Sequence, residues 1–262
     1  MKKHKGFSVA GVIGIIAVIA ALGIASFLVI DGNNKATNFN DYDFYSIIGP
    51  DEHNGYIGDN VKGDKNAPVL IFEYADYQCP GCASINPHVN KSIEKGDGRF
   101  AIVFRSFILS YHQNGTAAAS AANAAALQGY YKAYADKLFS EQAEWEYASA
   151  SERTALFDKY FVEVTNGEGD LEKFNADIAS ENVSKKISFD MGIAKRVDIV
   201  STPAFYIDGQ LIDWSNREGG SITINNNTIT WETSLTGEQL EDLFVRIAKA
   251  KLGEDITEEI ED

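Results

Sequence analysis

The stretch that decides the fold of this chain is Val69-Leu-Ile-Phe-Glu-Tyr-Ala-Asp-Tyr-Gln-Cys-Pro-Gly-Cys82. Its first four residues form an apolar run that is typical of a short β-strand buried on both faces. A helix-compatible segment follows to about Lys95, and residues 99–105 form a second strand-like run. A strand, a helix and a strand in this order predict a parallel pair joined by a helical crossover.

The quoted stretch contains the two cysteines of the chain, Cys79 and Cys82. At a strand-to-helix junction, this spacing exposes the first sulfur at the helix N-terminus and puts the second one turn later, within disulfide reach. The positive helix end and its unpaired N–H groups favour a thiolate at Cys79. A nucleophilic thiolate beside a second thiol is what thiol–disulfide exchange requires.

The Cys-x-x-Cys spacing also leaves two other roles open. Half of a zinc site would need two more ligands, and His53, His88 and His112 lack the paired spacing of zinc ligands. A purely structural disulfide across so short a loop would remove little entropy from the unfolded chain. We therefore expect redox chemistry, with no metal ion and no cofactor.

Three further segments extend the pattern: Gly63-Asp-Lys-Asn-Ala-Pro-Val69, His112-Gln-Asn-Gly115 and Ser201-Thr-Pro-Ala-Phe-Tyr-Ile-Asp-Gly209. Together with the cysteines they resemble the DsbA-like branch of the thioredoxin superfamily, in a membrane-anchored, BdbD-like arrangement. The resemblance runs from about Gly63 to Leu252. It implies an α/β, thioredoxin-like fold with a helical subdomain inserted at about residues 112–196.

The resemblance also implies roles for single residues. Cys79 and Cys82 are the redox-active disulfide, and Pro203 follows a cis peptide bond in a loop that faces it. Backbone groups in that loop pair with an extended substrate segment as an added strand. The residues implied in substrate binding are Thr202, Pro80 and Gly81.

Two acidic residues precede the cysteines. Glu73 matches the buried carboxylate of the family, which accepts the proton of Cys82. We interpret Asp76 and Tyr77 as surface positions without a special role. Strongly oxidising relatives carry a histidine at the position of Gly81, so its absence is expected to make the thiolate less favoured and the protein less oxidising.

The N-terminal residues form a separate segment. Residues 7–30 carry no charge and are mostly apolar, and a helix of that length covers a hydrocarbon core of about 30 Å. The run is longer than the apolar part of a cleaved signal peptide, which predicts an uncleaved transmembrane anchor. Lys2, Lys3 and Lys5 before it and Asp31 after it predict a cytoplasmic N-terminus and an extracytoplasmic domain.

These features predict four regions in the chain. The cytoplasmic stub and anchor occupy residues 1–30, and residues 31–62, which lack sustained periodicity, are expected to be a linker. The DsbA-like domain covers residues 63–252. Residues 253–262 are rich in acids and are expected to be a solvated tail.

Turn signals in the C-terminal part predict further elements. Residues 204–207 and 210–212 are expected to be strands joined at Asp-Gly, and residues 221–231 alternate around an Asn turn as a hairpin does. Thr236 with Gln239 forms a capping-box signal for a last helix.

The charge of the chain limits its partners. It carries 38 acidic and 23 basic residues, for a formal net charge of −15 at pH 7. Such a surface repels phosphate backbones, so we expect no nucleic-acid partner.

Together, these observations predict a monomeric, extracytoplasmic thiol–disulfide oxidoreductase. It would oxidise exported substrate proteins with free thiols, and a membrane redox partner of the DsbB or VKOR type would restore its disulfide. A reductase or isomerase on the same scaffold is the first alternative. The second is a non-enzymatic binding module of the cell envelope that docks through the hairpin at 221–231.

Overall fold

The computed structural model describes residues 37–256. The chain divides into two units, Met1–Asn38 and Phe39–Asp262, and the second is described below. The predicted anchor at residues 7–30 lies outside the described residues, as does most of the predicted tail. None of the helices between residues 37 and 256 has the length and apolar character needed to cross a membrane.

The described part of the chain folds into seven strands, eight α-helices and a short 3-10 helix at Phe39–Asp41. The strands are β1 (Asn60–Lys62), β2 (Val69–Ala75), β3 (Phe100–Ser106), β4 (Ala204–Ile207), β5 (Gln210–Ile212), β6 (Gly220–Ile224) and β7 (Asn227–Trp231). The helices are α1 (Pro80–Gly96), α2 (Gly115–Ala126), α3 (Tyr131–Ser140), α4 (Gln142–Trp145), α5 (Ala150–Val164), α6 (Leu171–Ile178), α7 (Glu181–Arg196) and α8 (Gly237–Leu252).

Strands β1 to β5 form one mixed sheet in the order β1-β3-β2-β4-β5. Strands β2 and β3 are parallel, with Val69 opposite Phe100 and Ala75 opposite Ser106, which confirms the predicted parallel pair. The other neighbouring strands are antiparallel. Because β2 and β3 are covered on both faces, their residues are almost all apolar and buried, and β2 lies at the centre of the sheet.

One face of the sheet packs against α1 and α8. Ile71 of β2, Val89 of α1 and Phe244 of α8 belong to the same buried cluster. The last helix begins with the predicted capping box at Thr236 and Gln239, in which each side chain bonds the other's backbone N–H. Successive side chains of a strand alternate between faces, so β2 presents Ile71 and Glu73 to this side of the sheet.

The predicted hairpin at residues 221–231 is confirmed. Strands β6 and β7 form a separate two-stranded sheet, and the turn between them consists of Asn225 and Asn226, both with positive φ. Asparagine tolerates this conformation better than most residues, and two such residues form the turn that suits the twist of a tight hairpin.

The thioredoxin-like core carries the expected helical insertion. Helices α2 to α7 lie between β3 and β4 in the chain, and they share a buried core of aromatic and alanine side chains. In α2 six of the eight alanines are buried. Such small side chains let neighbouring helices approach this helix closely.

The linker expected over residues 31–62 is not found between Phe39 and Lys62. This segment lies against the core, and β1 pairs with β3. The buried Arg105 side chain donates hydrogen bonds to the carbonyl oxygens of Phe44 (2.6 Å) and Ser46 (3.0 Å) and pairs with Asp59 (2.7 Å). Polar contacts to an irregular backbone leave no periodic apolar pattern in the sequence, which is why the sequence predicts a linker here.

Candidate active site

The two cysteines lie where β2 gives way to α1. Cys79 is the N-cap residue of α1, with extended φ and ψ, and Pro80 occupies the first helical turn. Proline suits this position because the N–H that it lacks would have no partner within the helix. Both cysteines are free thiols; Cys82 is completely buried, whereas Cys79 keeps 7% of its surface exposed.

The two thiols differ in acidity. A hydrogen bond from Cys82 is the largest influence on Cys79, and with contributions from Thr202 and the backbone amides of Gly81 and Cys82 it lowers the pKa of Cys79 to about 5, against the effect of burial. Burial raises the pKa of the Cys82 thiol well above its usual value. The site therefore holds one readily ionised sulfur and one that stays protonated.

The loop that precedes β4 completes the surroundings of Cys79. The Thr202–Pro203 peptide bond is cis, and the Cys79 thiol donates to the carbonyl oxygen of Thr202 at 3.5 Å. A Cβ at Gly81 would lie 3.3 Å from Cδ of Pro203 and 3.7 Å from Sγ of Cys79. The structure thus brings together all the residues that the sequence placed beside the disulfide.

Glu73 lies in the middle of the sheet. Its side chain is completely buried, and neither carboxyl oxygen has a hydrogen-bond partner among the described residues. Burial raises the pKa of Glu73, and the charge of Lys62 opposes this effect. The Glu73 carboxylate is in turn among the charges that raise the pKa of Cys82, so the two groups are close enough to affect each other's protonation.

Lys62 is a residue of the site that the sequence did not reveal. It ends β1, is completely buried, and donates a hydrogen bond to Asn86 of α1. Its Nζ lies 3.5 Å from Asp136. The sequence places residue 62 in the predicted linker, and only the pairing of β1 with β3 brings this lysine to the Glu73 side of the sheet.

The helical insertion holds the loop before Cys79. The side chain of Gln142 donates to the carbonyl oxygens of Tyr77 (2.7 Å) and Cys79 (3.1 Å). Gln78 accepts a hydrogen bond from the backbone N–H of Asn114 at 2.7 Å. These contacts span long stretches of sequence, so no local pattern in the sequence pointed to them.

Asp76 and Tyr77 are not surface positions. Asp76 is buried and accepts hydrogen bonds from the backbone N–H groups of Gln78 and Leu109, both at 2.9 Å, and pairs with Nδ1 of His112 at 2.7 Å. Tyr77 is buried within the core of the insertion. The polar and aromatic character of these residues suggested exposure, but the chain turns both side chains inward after β2 ends.

A cavity of about 440 Å³ opens beside the cysteines. Cys79 and Thr202 lie on one side, and the helical insertion and its connecting loops supply much of the rest, including the exposed aromatic side chains of Tyr111 and Tyr147. Cys82 does not line it. The lining residues are Gln78, Cys79, Pro80, Leu109, Tyr111, His112, Glu146, Tyr147, Val200, Ser201 and Thr202.

Within residues 37–256, no group of three or more His, Cys, Asp or Glu side chains is arranged to hold a metal ion.

A family model described as thioredoxin matches residues 56–224. Among solved structures, alpha-DsbA1 of Wolbachia pipientis is 26% identical, with a TM-score of 0.51, over 74% of this chain and 94% of that one. BdbD from Bacillus subtilis is 21% identical, with a TM-score of 0.51, over 64% and 89%.

Curated relatives match over part of their length. The Na(+)/H(+) antiporter NhaA 1 of Mycolicibacterium gilvum is 30% identical over 155 residues, which are 58% of this chain and 24% of that protein. The chain therefore spans about a quarter of the length of such relatives.

Proposed function

The chain belongs to the thioredoxin family, and from this premise we propose that it is a protein-disulfide oxidoreductase that acts as a disulfide-forming oxidase of exported proteins. The observation that carries the proposal is the contrast between Cys79, whose pKa is lowered to about 5, and Cys82, whose pKa is raised. A thiolate of low pKa is a good leaving group, so Cys79 readily passes its disulfide bond to another sulfur.

The reaction has two exchange steps. A substrate thiolate attacks Sγ of Cys79, the Cys79–Cys82 bond breaks, and its electron pair leaves on Cys82. A second substrate thiolate then attacks the substrate sulfur of the mixed disulfide and releases Cys79 as a thiolate. Two electrons pass from the substrate to the protein, and the substrate gains a disulfide.

Glu73 handles the proton of the inner sulfur. Because burial raises its pKa, the carboxyl group holds a proton at a pH where an exposed glutamate has lost it. It gives that proton to Cys82 as this sulfur leaves, and accepts it again when the disulfide is restored. Lys62, buried beside it, stabilises the carboxylate that remains.

Substrate binds along the cavity beside Cys79. The backbone of Thr202 and Pro203 offers polar groups that an extended segment can pair with, and Pro80 and Gly81 border the same approach. Exposed Tyr111 and Tyr147 suit contacts to apolar side chains of an unfolded chain.

The cellular setting is part of the proposal. Residues 7–30 anchor the protein in the cell membrane, with the catalytic domain on the extracytoplasmic side, where disulfides persist. A membrane partner of the DsbB or VKOR type accepts the electrons from the two thiols. The protein acts as a monomer.

The test is to mix the oxidised full-length protein in detergent with a reduced, unfolded secreted protein and to measure disulfides gained per molecule. We expect one disulfide transferred per oxidised molecule, and none from Cys79→Ser. The redox potential, measured against glutathione, is expected to lie well above the value of about −270 mV that is typical of thioredoxin. A value near that of thioredoxin would establish the reductase alternative instead. If Cys79→Ser left the refolding of the reduced secreted protein unchanged, the binding-module alternative would be favoured.

A further inference from the structure

The cavity beside Cys79 contains an ionisable side chain that the reaction above leaves unused. His112 lies on the loop between β3 and α2, and its side chain is 11% exposed. Its ring lines the same cavity as Cys79 and Thr202. An imidazole therefore stands in the space through which a substrate sulfur must approach.

The orientation of the His112 ring is fixed by a buried carboxylate. Nδ1 of His112 lies 2.7 Å from Oδ2 of the buried Asp76. Asp76 also accepts two backbone N–H groups, from Gln78 and Leu109, and so is held in place as an acceptor. Nδ1 is then the protonated nitrogen of the neutral ring, and Nε2, on the opposite edge, carries a free lone pair.

The exchange reaction has a use for such a base. An ordinary cysteine thiol has a pKa of about 8.5, so only a few per cent of it is ionised at neutral pH. The first step of oxidation needs the thiolate. Glu73 is completely buried at the Cys82 side of the site, so it serves the inner sulfur and not the incoming one.

We propose that His112 is the base that takes the proton of the incoming substrate thiol, and that Asp76 is the positioning residue that directs its ring. The S–H bond breaks and its proton moves to Nε2, while the electron pair left on sulfur bonds to Sγ of Cys79. The Cys79–Cys82 bond breaks, and Cys82 takes a proton from Glu73. This inference rests on the proposed oxidase function and adds a catalytic residue to it.

Other titratable groups around the ring come from four parts of the chain. Asp76 faces Nδ1 from the end of β2, and Tyr111, on the same loop as His112, meets the ring edge-on at 4.6 Å. Glu146, which follows α4, lines the cavity, as does Cys79 at the start of α1.

The experiment compares the oxidised wild type with His112→Asn. The Asn side chain can keep a hydrogen bond to Asp76 but offers no base. The rate at which a short peptide with one cysteine attacks the oxidised protein is measured by stopped flow from pH 6.5 to 9.5. His88→Asn is the matched control, since His88 also pairs with a carboxylate, Glu241 at 2.6 Å, but lies outside the cavity.

We expect His112→Asn to react about tenfold more slowly at pH 7, because ionisation of the thiol limits the step. Its rate should meet that of the wild type above pH 9, where the peptide is ionised without help, and His88→Asn should match the wild type throughout. If His112→Asn folds poorly, His112→Gln takes its place.

An unchanged rate at pH 7, or a loss of equal size at every pH, would overturn the role of His112 while leaving the oxidase intact. A wild type that forms no mixed disulfide with the peptide would overturn both proposals. Asp76→Asn should produce the same convergence at high pH with a smaller loss at pH 7, and an equal loss at all pH values would contradict a positioning role.

Discussion

The inner and outer sulfur atoms of the site are separated by two residues, yet they lie in opposite surroundings. Cys79 caps the helix, borders an open cavity and receives hydrogen bonds that lower its pKa to about 5. Cys82 lies within the first turn, completely buried, with its pKa raised. The helix N-terminus stabilises charge only where the sulfur can reach the free amides, so a shift of one turn separates nucleophile from resolving thiol.

The two carboxyl groups that precede the cysteines also lie in different surroundings. Glu73 is buried with no hydrogen-bond partner among the described residues, and its pKa is raised. Asp76, equally buried, accepts three hydrogen bonds. The two carboxyl groups lie equally deep, so the difference between them is in their hydrogen-bond partners. The inner side of the site thus stores a proton, and the outer side holds an oriented imidazole.

The largest expected effect comes from exchanging each sulfur in turn. Cys79→Ala should lower oxidation of a peptide thiol by on the order of 10³-fold or more, since the Cys79–Cys82 disulfide that the peptide thiolate attacks can no longer form. Cys82→Ala should keep a reactive Cys79, but the midpoint of its alkylation by iodoacetamide should rise above the wild-type value of about 5, because the hydrogen bond from Cys82 is the largest cause of the low pKa. An unchanged midpoint would show that the helix end alone sets the acidity.

The second prediction concerns the stability of the reduced protein. Between the folded pKa of Cys79, about 5, and the unfolded value near 8.5, the unfolded chain binds the extra proton. The free energy of unfolding of the reduced form should therefore rise with pH in this window by up to about 1.4 kcal/mol per pH unit, and be lost again as pH falls toward 5.

The oxidised form has no thiol to titrate and supplies the control. Denaturant unfolding of both forms at pH 5, 6, 7 and 8 measures the difference between them. A difference that stays constant with pH would contradict the acidity of Cys79 and, with it, the basis of the oxidase proposal.

The third prediction tests whether Glu73 stores the proton that Cys82 receives. Glu73→Gln should slow the reaction about 100-fold at neutral pH, because it removes the group that protonates Cys82. It should also raise the free energy of unfolding at neutral pH, because the wild-type carboxyl group is ionised in the unfolded chain but held protonated when buried, whereas an amide ionises in neither state.

The direction in which this stability gain changes with pH is a further test. Because the folded pKa of Glu73 is raised, the wild type loses stability as pH rises above the unfolded value near 4.3, whereas the variant does not. The gain should thus be absent near pH 4 and should grow as pH rises above that value. Glu241→Gln is the control, since Glu241 is buried but pairs with His88 and Lys95, and this change should destabilise the protein.

Local sequence patterns predicted much of the fold. The apolar runs of β2 and β3, the Asn turn of the hairpin and the capping box of the last helix each lie within a few residues, and the structure contains all of them. The resemblance supplied the helical insertion and the cis bond at Pro203. Such features are visible because short-range geometry determines them.

The residues that sequence reasoning missed depend on long-range contacts. Lys62 reaches the site because β1 pairs with β3, some forty residues further along the chain. Asp76 turns inward because it accepts hydrogen bonds there from the backbone N–H of Leu109 and the ring of His112. A charged residue looks the same in sequence whether it meets solvent or a buried partner, so its location follows only from the fold.

The smallest expected effect concerns Gly81, which lies beside the outer sulfur, Cys79, and has no side chain. A histidine there would add positive charge near Cys79, and Gly81→His should lower the alkylation midpoint of Cys79 by about half a pH unit at low salt, the size expected for an exposed charge pair. Gly81→Gln is the control for bulk, because any Cβ at this position must fit 3.3 Å from Cδ of Pro203. Equal midpoints for both variants would mean that backbone amides and Cys82 already saturate the stabilisation of the thiolate, and that side-chain charge at position 81 is not what limits oxidising power in this protein.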